Sequence, residues 1–124
     1  MAIIKSFTDI SQSNTLSNIL PLESADMHSE AIDINGDMVF IVISGLGDKT
    51  KSNYGSPVWS LAALLDVLPK IGSEEPMIQK LYYANTPTER YICQYSLTNI
   101  TGEYDNPVDA CVAMIEKLHE LNLL

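Results

Sequence analysis

The chain has 124 residues, 46% apolar and 19% charged, enough for one domain that buries a core without a disulfide scaffold or a structural metal. Sixteen acids against seven bases give a net charge of −9, a field that repels phosphate backbones and argues against direct nucleic-acid binding. No apolar run approaches the roughly 20 residues of a membrane helix, and the opening "MAIIKSFTDISQS" shows no secretory signal, so the expected location is the cytoplasm.

The first element is a helix over "TDISQSNTLSNIL". Thr8 or Asp9 caps it, Leu16, Ile19 and Leu20 fall on one side, and Pro21 ends it. The next stretch, "DMHSEAIDINGDMVFIVIS", carries Asn35-Gly36 between two strand-like runs. Both residues tolerate positive φ, which a type I′ hairpin turn requires. Pairing about that turn sets Ile34 opposite Asp37, Ile32 opposite Val39, Glu30 opposite Ile41, Asp33 opposite Met38 and Ala31 opposite Phe40. The returning strand "MVFIVI" is apolar on both faces, so it is expected to be central and covered on both sides.

Residues 45–56, "GLGDKTKSNYGS", read as a long polar loop. Such loops are where binding residues concentrate, and Lys49, Lys51 and Tyr54 are its candidate ligand-binding side chains. A helix is expected over 57–69, with Ser56 as N-cap and Pro57 at the first helical position. Val58, Leu61, Ala62, Leu65 and Leu68 form one stripe of that helix; Trp59, Ala63 and Val67 form another. A helix apolar on two sides needs two covers. Trp59 and Val67, with Met38 and Phe40 on the far side of the sheet, are therefore the candidate interaction surface.

A second strand pair follows, "MIQKLYYA" and "RYICQYSL", joined by "NTPTE". Pairing about Pro87 sets Tyr83 opposite Tyr91, Leu81 opposite Cys93 and Gln79 opposite Tyr95. Met77, Leu81, Tyr83, Tyr91, Cys93, Tyr95 and Leu97 then form the core face. Tyr82, Tyr83, Tyr91 and Tyr95 could instead form a binding patch, but strand packing explains them as well. The last helix starts at Asn106-Pro107. Val108, Cys111, Val112, Ile115 and Leu118 make its buried stripe, and Asp109 and Lys117 suit its dipole.

Shifting the chain by 50 residues superposes its halves: Asn35 on Asn85, Ile41 and Ile43 on Tyr91 and Cys93, Ser56-Pro57-Val58 on Asn106-Pro107-Val108. The expected architecture is therefore α+β within a single domain, 1–124. A leading helix (1–22) precedes two ββα units (23–72 and 73–124), whose four strands form one antiparallel sheet with the two main helices packed on one face.

No catalytic, metal or cofactor constellation emerges. "GLGDKT" lacks the third glycine and the Gly-Lys-Ser/Thr run of a phosphate loop, and "DINGD" lacks the closing glutamate of a calcium loop. His28, between Asp26 and Glu30, has no third ligand nearby, and His119 fits a helix C-terminus. Cys93 and Cys111 read as buried apolar residues. The chain is thus expected not to be an enzyme and to use no cofactor.

"LPLESADM", "PVWSLAALLDVLP" and "DNPVDACVAMIEKLHELNLL" resemble a family of small proteins from gut bacteria and their phages or mobile elements. The resemblance implies an intracellular accessory protein and carries no catalytic residue. Together these readings describe a small acidic protein-interaction domain whose partner is another protein or a second copy. One alternative is a small-ligand-binding domain using the 45–56 loop and the tyrosine-rich hairpin. The other is an acidic nucleic-acid mimic, which needs Glu23, Asp26, Glu30, Asp33 and Asp37 to share one face.

Overall fold

The structure is a computed structural model and describes residues 5–81, 89–95 and 99–124. Among these residues it is α+β, with antiparallel sheets and three α-helices. Helix α1 (Ile10–Ser17) is followed by a 3-10 turn (Leu22–Ser24), strands β1 (Met27–Ile34), β2 (Asp37–Ser44) and β3 (Tyr54–Val58), and helix α2 (Leu61–Val67). Strands β4 (Pro76–Leu81), β5 (Arg90–Tyr95) and β6 (Asn99–Ile100) and helix α3 (Pro107–Glu120) complete the chain. The strands do not form one four-stranded sheet. They form two three-stranded sheets, ordered β2-β1-β3 and β4-β5-β6.

Of Thr8 and Asp9, Asp9 is the cap of α1. Its carboxylate accepts from the Gln12 amide at 2.8 Å, and the Gln12 side chain accepts from the Asp9 amide at 3.1 Å. This reciprocal pairing satisfies two amides at the helix start that have no partner within the helix. Thr8 is buried instead. Its hydroxyl accepts from the Trp59 amide at 3.1 Å and lies 2.8 Å from that of Ser13, tying the entry of α1 to the end of β3.

The first hairpin has the expected register, residue for residue, from Met27↔Ser44 to Ile34↔Asp37. Asn35 and Gly36 hold φ of 53° and 88°, as a type I′ turn demands. The expectation that β2 is central is overturned. The third strand of this sheet pairs with β1, so β1 is central and β2 is an edge.

That third strand comes from residues read as loop and helix start. Ser56, Pro57 and Val58 are extended in β3, and Ser60 caps α2, its hydroxyl accepting from the Ala63 amide at 3.2 Å. Ser followed by Pro fits a helix start, but proline also fits an edge strand where its missing N–H would face outward. Pro57 stands opposite His28, whose backbone groups turn toward β2, so no ladder bond is lost. The 50-residue correspondence fails at this point, because Asn106-Pro107 does start a helix, with the Asn106 side chain accepting from the Asp109 amide at 2.9 Å. What recurs is a coarser order, three strands and a helix, with different strand pairing in each half.

In the second sheet Ile78 stands opposite Cys93 and Lys80 opposite Tyr91. This is three residues from the expected register, with Leu81 opposite Cys93. An odd shift exchanges the two faces of a strand. Ile78 therefore joins the core, while Met77 is 49% exposed. Lys80 stays wet by reaching across the Tyr91 ring to Glu89, 2.9 Å away. Tyr82, Tyr83, Asn85, Pro87 and Leu97, and the joining turn, lie outside the described residues.

The core draws on both halves of the chain. Leu16 and Leu20, Trp59, Leu64 and Leu68, Cys93 and Tyr95, and the full expected stripe of α3 pack as one cluster. The Trp59 indole N–H donates to the Ser24 hydroxyl at 3.0 Å, and the Tyr95 hydroxyl to the Pro69 carbonyl at 2.6 Å. Both aromatics are fully buried with their polar atoms satisfied. Burial pushes the Tyr95 phenol up to about 12. At the other edge, Asp109 receives hydrogen bonds from Lys5 (2.8 Å), Gln12 (2.7 Å) and Asn106 (2.8 Å), joining the starts of α1 and α3. No β1 or β2 residue belongs to this cluster.

Candidate interaction surface

The four residues proposed as an interaction surface separate into two pairs. Trp59, which precedes α2, is fully buried, and Val67 is half-buried against the core, so the chain itself covers both residues. Met38 and Phe40 are 67% and 49% exposed. They stand on β2 with Val39 and Ile41, which are also exposed, and Ile34 lies just across the turn. Alternation sends Met38, Phe40 and Val42 to the face that looks at α1, and Val39, Ile41 and Ile43 to the other. Asp37, the only charge on β2, is at its first residue. Soluble chains blunt their edge strands with charges, prolines or bulges, and β2 has none of these beyond Asp37.

A cleft runs along the α1-facing side of this sheet. One end, about 440 Å³, lies among Phe7, Ile10, Phe40, Val42 and Val58. Its floor carries Ser29 and Ser56, whose hydroxyls are 3.1 Å apart, with the Ser56 amide donating to Ser29 Oγ at 3.0 Å. A more polar end of about 360 Å³ shares Ile10, Phe40 and both serines and is bounded by Asn53 and Tyr54. A separate hollow of about 280 Å³ lies among Leu20, Lys49, Tyr54, Pro57 and Trp59. Tyr54 thus borders two concavities. Its hydroxyl is buried with no hydrogen-bond partner among the described residues, and burial raises its pKa. Tyr54 itself belongs to β3, and Lys49 and Lys51 are exposed on the loop before it.

His28 holds that loop. Its Nδ1 is 2.7 Å from the Gly45 carbonyl and its Nε2 is 2.5 Å from the Glu30 carboxylate. Both partners are acceptors, so only the imidazolium, with two N–H donors, satisfies both. The hydrogen bond to Glu30, then that to Gly45, raises the His28 pKa against the opposing effects of burial and Lys51. Gly47, at φ +70°, passes so close that a Cβ there would lie 2.6 Å from the ring. The Tyr54 ring sits 5.9 Å away on the same face.

The remaining candidates are placed as follows. Among the described residues no three His, Cys, Asp or Glu side chains gather to hold a metal, and no helix is long and apolar enough to cross a membrane. Asp33 accepts from the Gly36 amide at 2.9 Å and serves the hairpin turn. Pairing puts Asp33 on one face and Glu30 and Asp37 on the other, so these acids form no single row. Tyr95 is in the core and Tyr91 is half-buried, leaving no tyrosine patch among the described residues. Cys93 and Cys111 are fully buried free thiols. Compared with known protein families, curated proteins and solved structures, the chain matches none.

Proposed function

We propose that the protein is a non-catalytic interaction module that engages another polypeptide through the open edge of the β1–β2 hairpin. The observation that carries this reading is β2 itself: eight residues, charged only at the first, exposed on both faces and unpaired along one side. An added strand completes the hydrogen-bonding ladder, and flanking side chains supply the apolar area. The acidic charge and the two reduced, buried cysteines suit an intracellular accessory protein, which agrees with the resemblance to small proteins of bacteria and their mobile elements.

The test is recovery of bound polypeptide from the native host cell with the wild-type chain and with a Met38→Lys/Phe40→Lys variant. Met38 and Phe40 lie outside the hydrophobic core, so the variant stays folded, which a urea titration checks. Loss of the bound polypeptide supports the reading; equal recovery rejects it.

A second reading is a small-ligand site in the cleft, favoured by its apolar end of about 440 Å³ among Phe7, Ile10, Phe40, Val42 and Val58. The probe is the neutral dye N-phenyl-1-naphthylamine. Fluorescence enhancement that is lost on Ile10→Arg supports this reading, and no enhancement with the wild-type chain rejects it.

A further inference from the structure

We propose that the cleft between α1 and the first sheet takes an uncharged, largely apolar molecule carrying a carbonyl oxygen, and that the hydroxyl pair of Ser29 and Ser56 donates to that oxygen. The proposal rests on the small-ligand reading above and adds the class of ligand and its anchor.

Buried hydroxyls gather at this cleft. Five polar residues are buried among the described residues, and four of them, Thr8, Ser13, Ser29 and Ser56, line it. Buried polar groups cost free energy unless they are hydrogen-bonded, so their concentration in one apolar wall needs a reason. Thr8 and Ser13 have one. Their hydroxyls, 2.8 Å apart, are sealed where the entry of α1 meets the end of β3, and Thr8 also accepts from the Trp59 amide.

Ser29 and Ser56 differ. They line both ends of the cleft and are 3% and 9% exposed. Alternation along β1 and β3 turns their side chains to the α1 side, the face of Val42 and Val58. Ser29 Oγ already accepts from the Ser56 amide at 3.0 Å. The pair holds two hydroxyl hydrogens, and only one fits between oxygens 3.1 Å apart. The other reaches only the Ser56 carbonyl, 3.5 Å from Ser29 Oγ, beyond the roughly 3.0 Å limit of a good O–H···O bond. One donor at the cleft floor is therefore unspent. Gly55 keeps this floor open. A Cβ there would strike Ser29 Oγ and crowd the Phe40 ring, and Gly55 has no left-handed φ, so the glycine serves space and not backbone conformation.

Charge narrows the ligand. Among the described residues no Lys, Arg or His lines either end of the cleft. Its one carboxylate, Asp9, already accepts from Lys5 at 3.0 Å and from the Gln12 amide at 2.8 Å. An anion would enter unpaired against a net charge of −9, and a cation would find its counter-ion engaged. A neutral molecule avoids both costs. The surplus at the floor is a donor, so the ligand supplies an acceptor, and a carbonyl oxygen is an uncharged one. Its apolar body lies against Phe7, Ile10 and Val58.

The test is displacement of N-phenyl-1-naphthylamine by 2-acetylnaphthalene, a ketone, and by 2-ethylnaphthalene, a hydrocarbon of similar shape. Ser29→Ala/Ser56→Ala should weaken the ketone about 10-fold, the worth of one buried hydrogen bond, and leave the hydrocarbon unchanged. Equal weakening of both, or of neither, overturns the proposal. A second measurement needs no variant: the carbonyl stretch of the ketone bound to the wild-type chain, isolated by ¹³C=O labelling. A band below its position in hexane supports the hydrogen bond, and a band at the hexane position overturns it. If the dye is not enhanced by the wild-type chain, the small-ligand reading and this proposal fall together. If the dye binds and the ketone shows neither effect, the reading stands and the proposal alone falls.

Discussion

His28 and Asp109 give the fold opposite responses to pH. The folded state raises the His28 pKa above its ordinary 6.5. Its stabilisation is complete below pH 6.5 and is lost as pH rises through the folded value. Burial alone would raise the Asp109 pKa, but hydrogen bonds from Lys5, Gln12 and Asn106 outweigh it and hold the pKa below the ordinary 3.8. That stabilisation is present above pH 3.8 and is lost as pH falls through the folded value. The resistance of the wild-type chain to urea should therefore fall from pH 6 to pH 9, and His28→Gln should flatten that slope without altering the acid side. An unchanged slope in His28→Gln would show that Glu30 and Gly45 do not hold the charged ring. Gly47→Ala should loosen the same loop, since its Cβ would strike the ring from a backbone that favours glycine. Trp59→Ala should cost about 3–5 kcal/mol, the range for removing a buried aromatic side chain.

At the scale of elements, helix α2 starts at Ser60 and α3 at Asn106. Ser60→Ala and Asn106→Ala should each destabilise by about 1 kcal/mol in urea titrations. Ser60→Ala should sit at the upper end, because Ser60 Oγ also donates to Asp26 at 2.5 Å. A negligible effect of Ser60→Ala would move the helix start back toward Ser56. The sequence shows the start and buried stripe of α3 and the register of the first hairpin, because a cap, a clean apolar stripe and an Asn-Gly turn all act within a few residues. It misplaces the start of α2 because Ser-Pro suits both a helix start and an edge strand, and the open side of β1 decides between them from nearly thirty positions away. The register of β4 on β5 is hidden for a related reason: Met77, Ile78 and Leu81 offer an apolar residue to either face. Apolarity on both faces of β2 suggests a covered strand, and burial in the chain's own core is only one way to cover it. The Asp109 network, the grip of His28 on Gly45 and the bond from Trp59 to Thr8 join distant segments, and no local spacing signals them.

Among the described residues, the hydrophobic core and the β1–β2 hairpin are separate parts of the fold. Three helices and the second sheet share one core, while β1 and β2 contribute nothing to it. Their attachment runs instead through β3, the Ser29–Ser56 contact and the loop held by His28. A protein that spends eight residues on an exposed, uncharged-centred edge carries an aggregation hazard unless something covers that edge. Amide hydrogen exchange in β2, measured for the free chain and for the chain bound to the polypeptide recovered from the host cell, tests the cover most directly. The expected result is that the Phe40 and Val42 amides exchange at nearly the solvent rate in the free chain and become strongly protected in the complex, while the Val39 and Ile41 amides, bonded to β1, stay protected throughout. Phe40 and Val42 amides that exchange equally fast in the free chain and in the complex would contradict it.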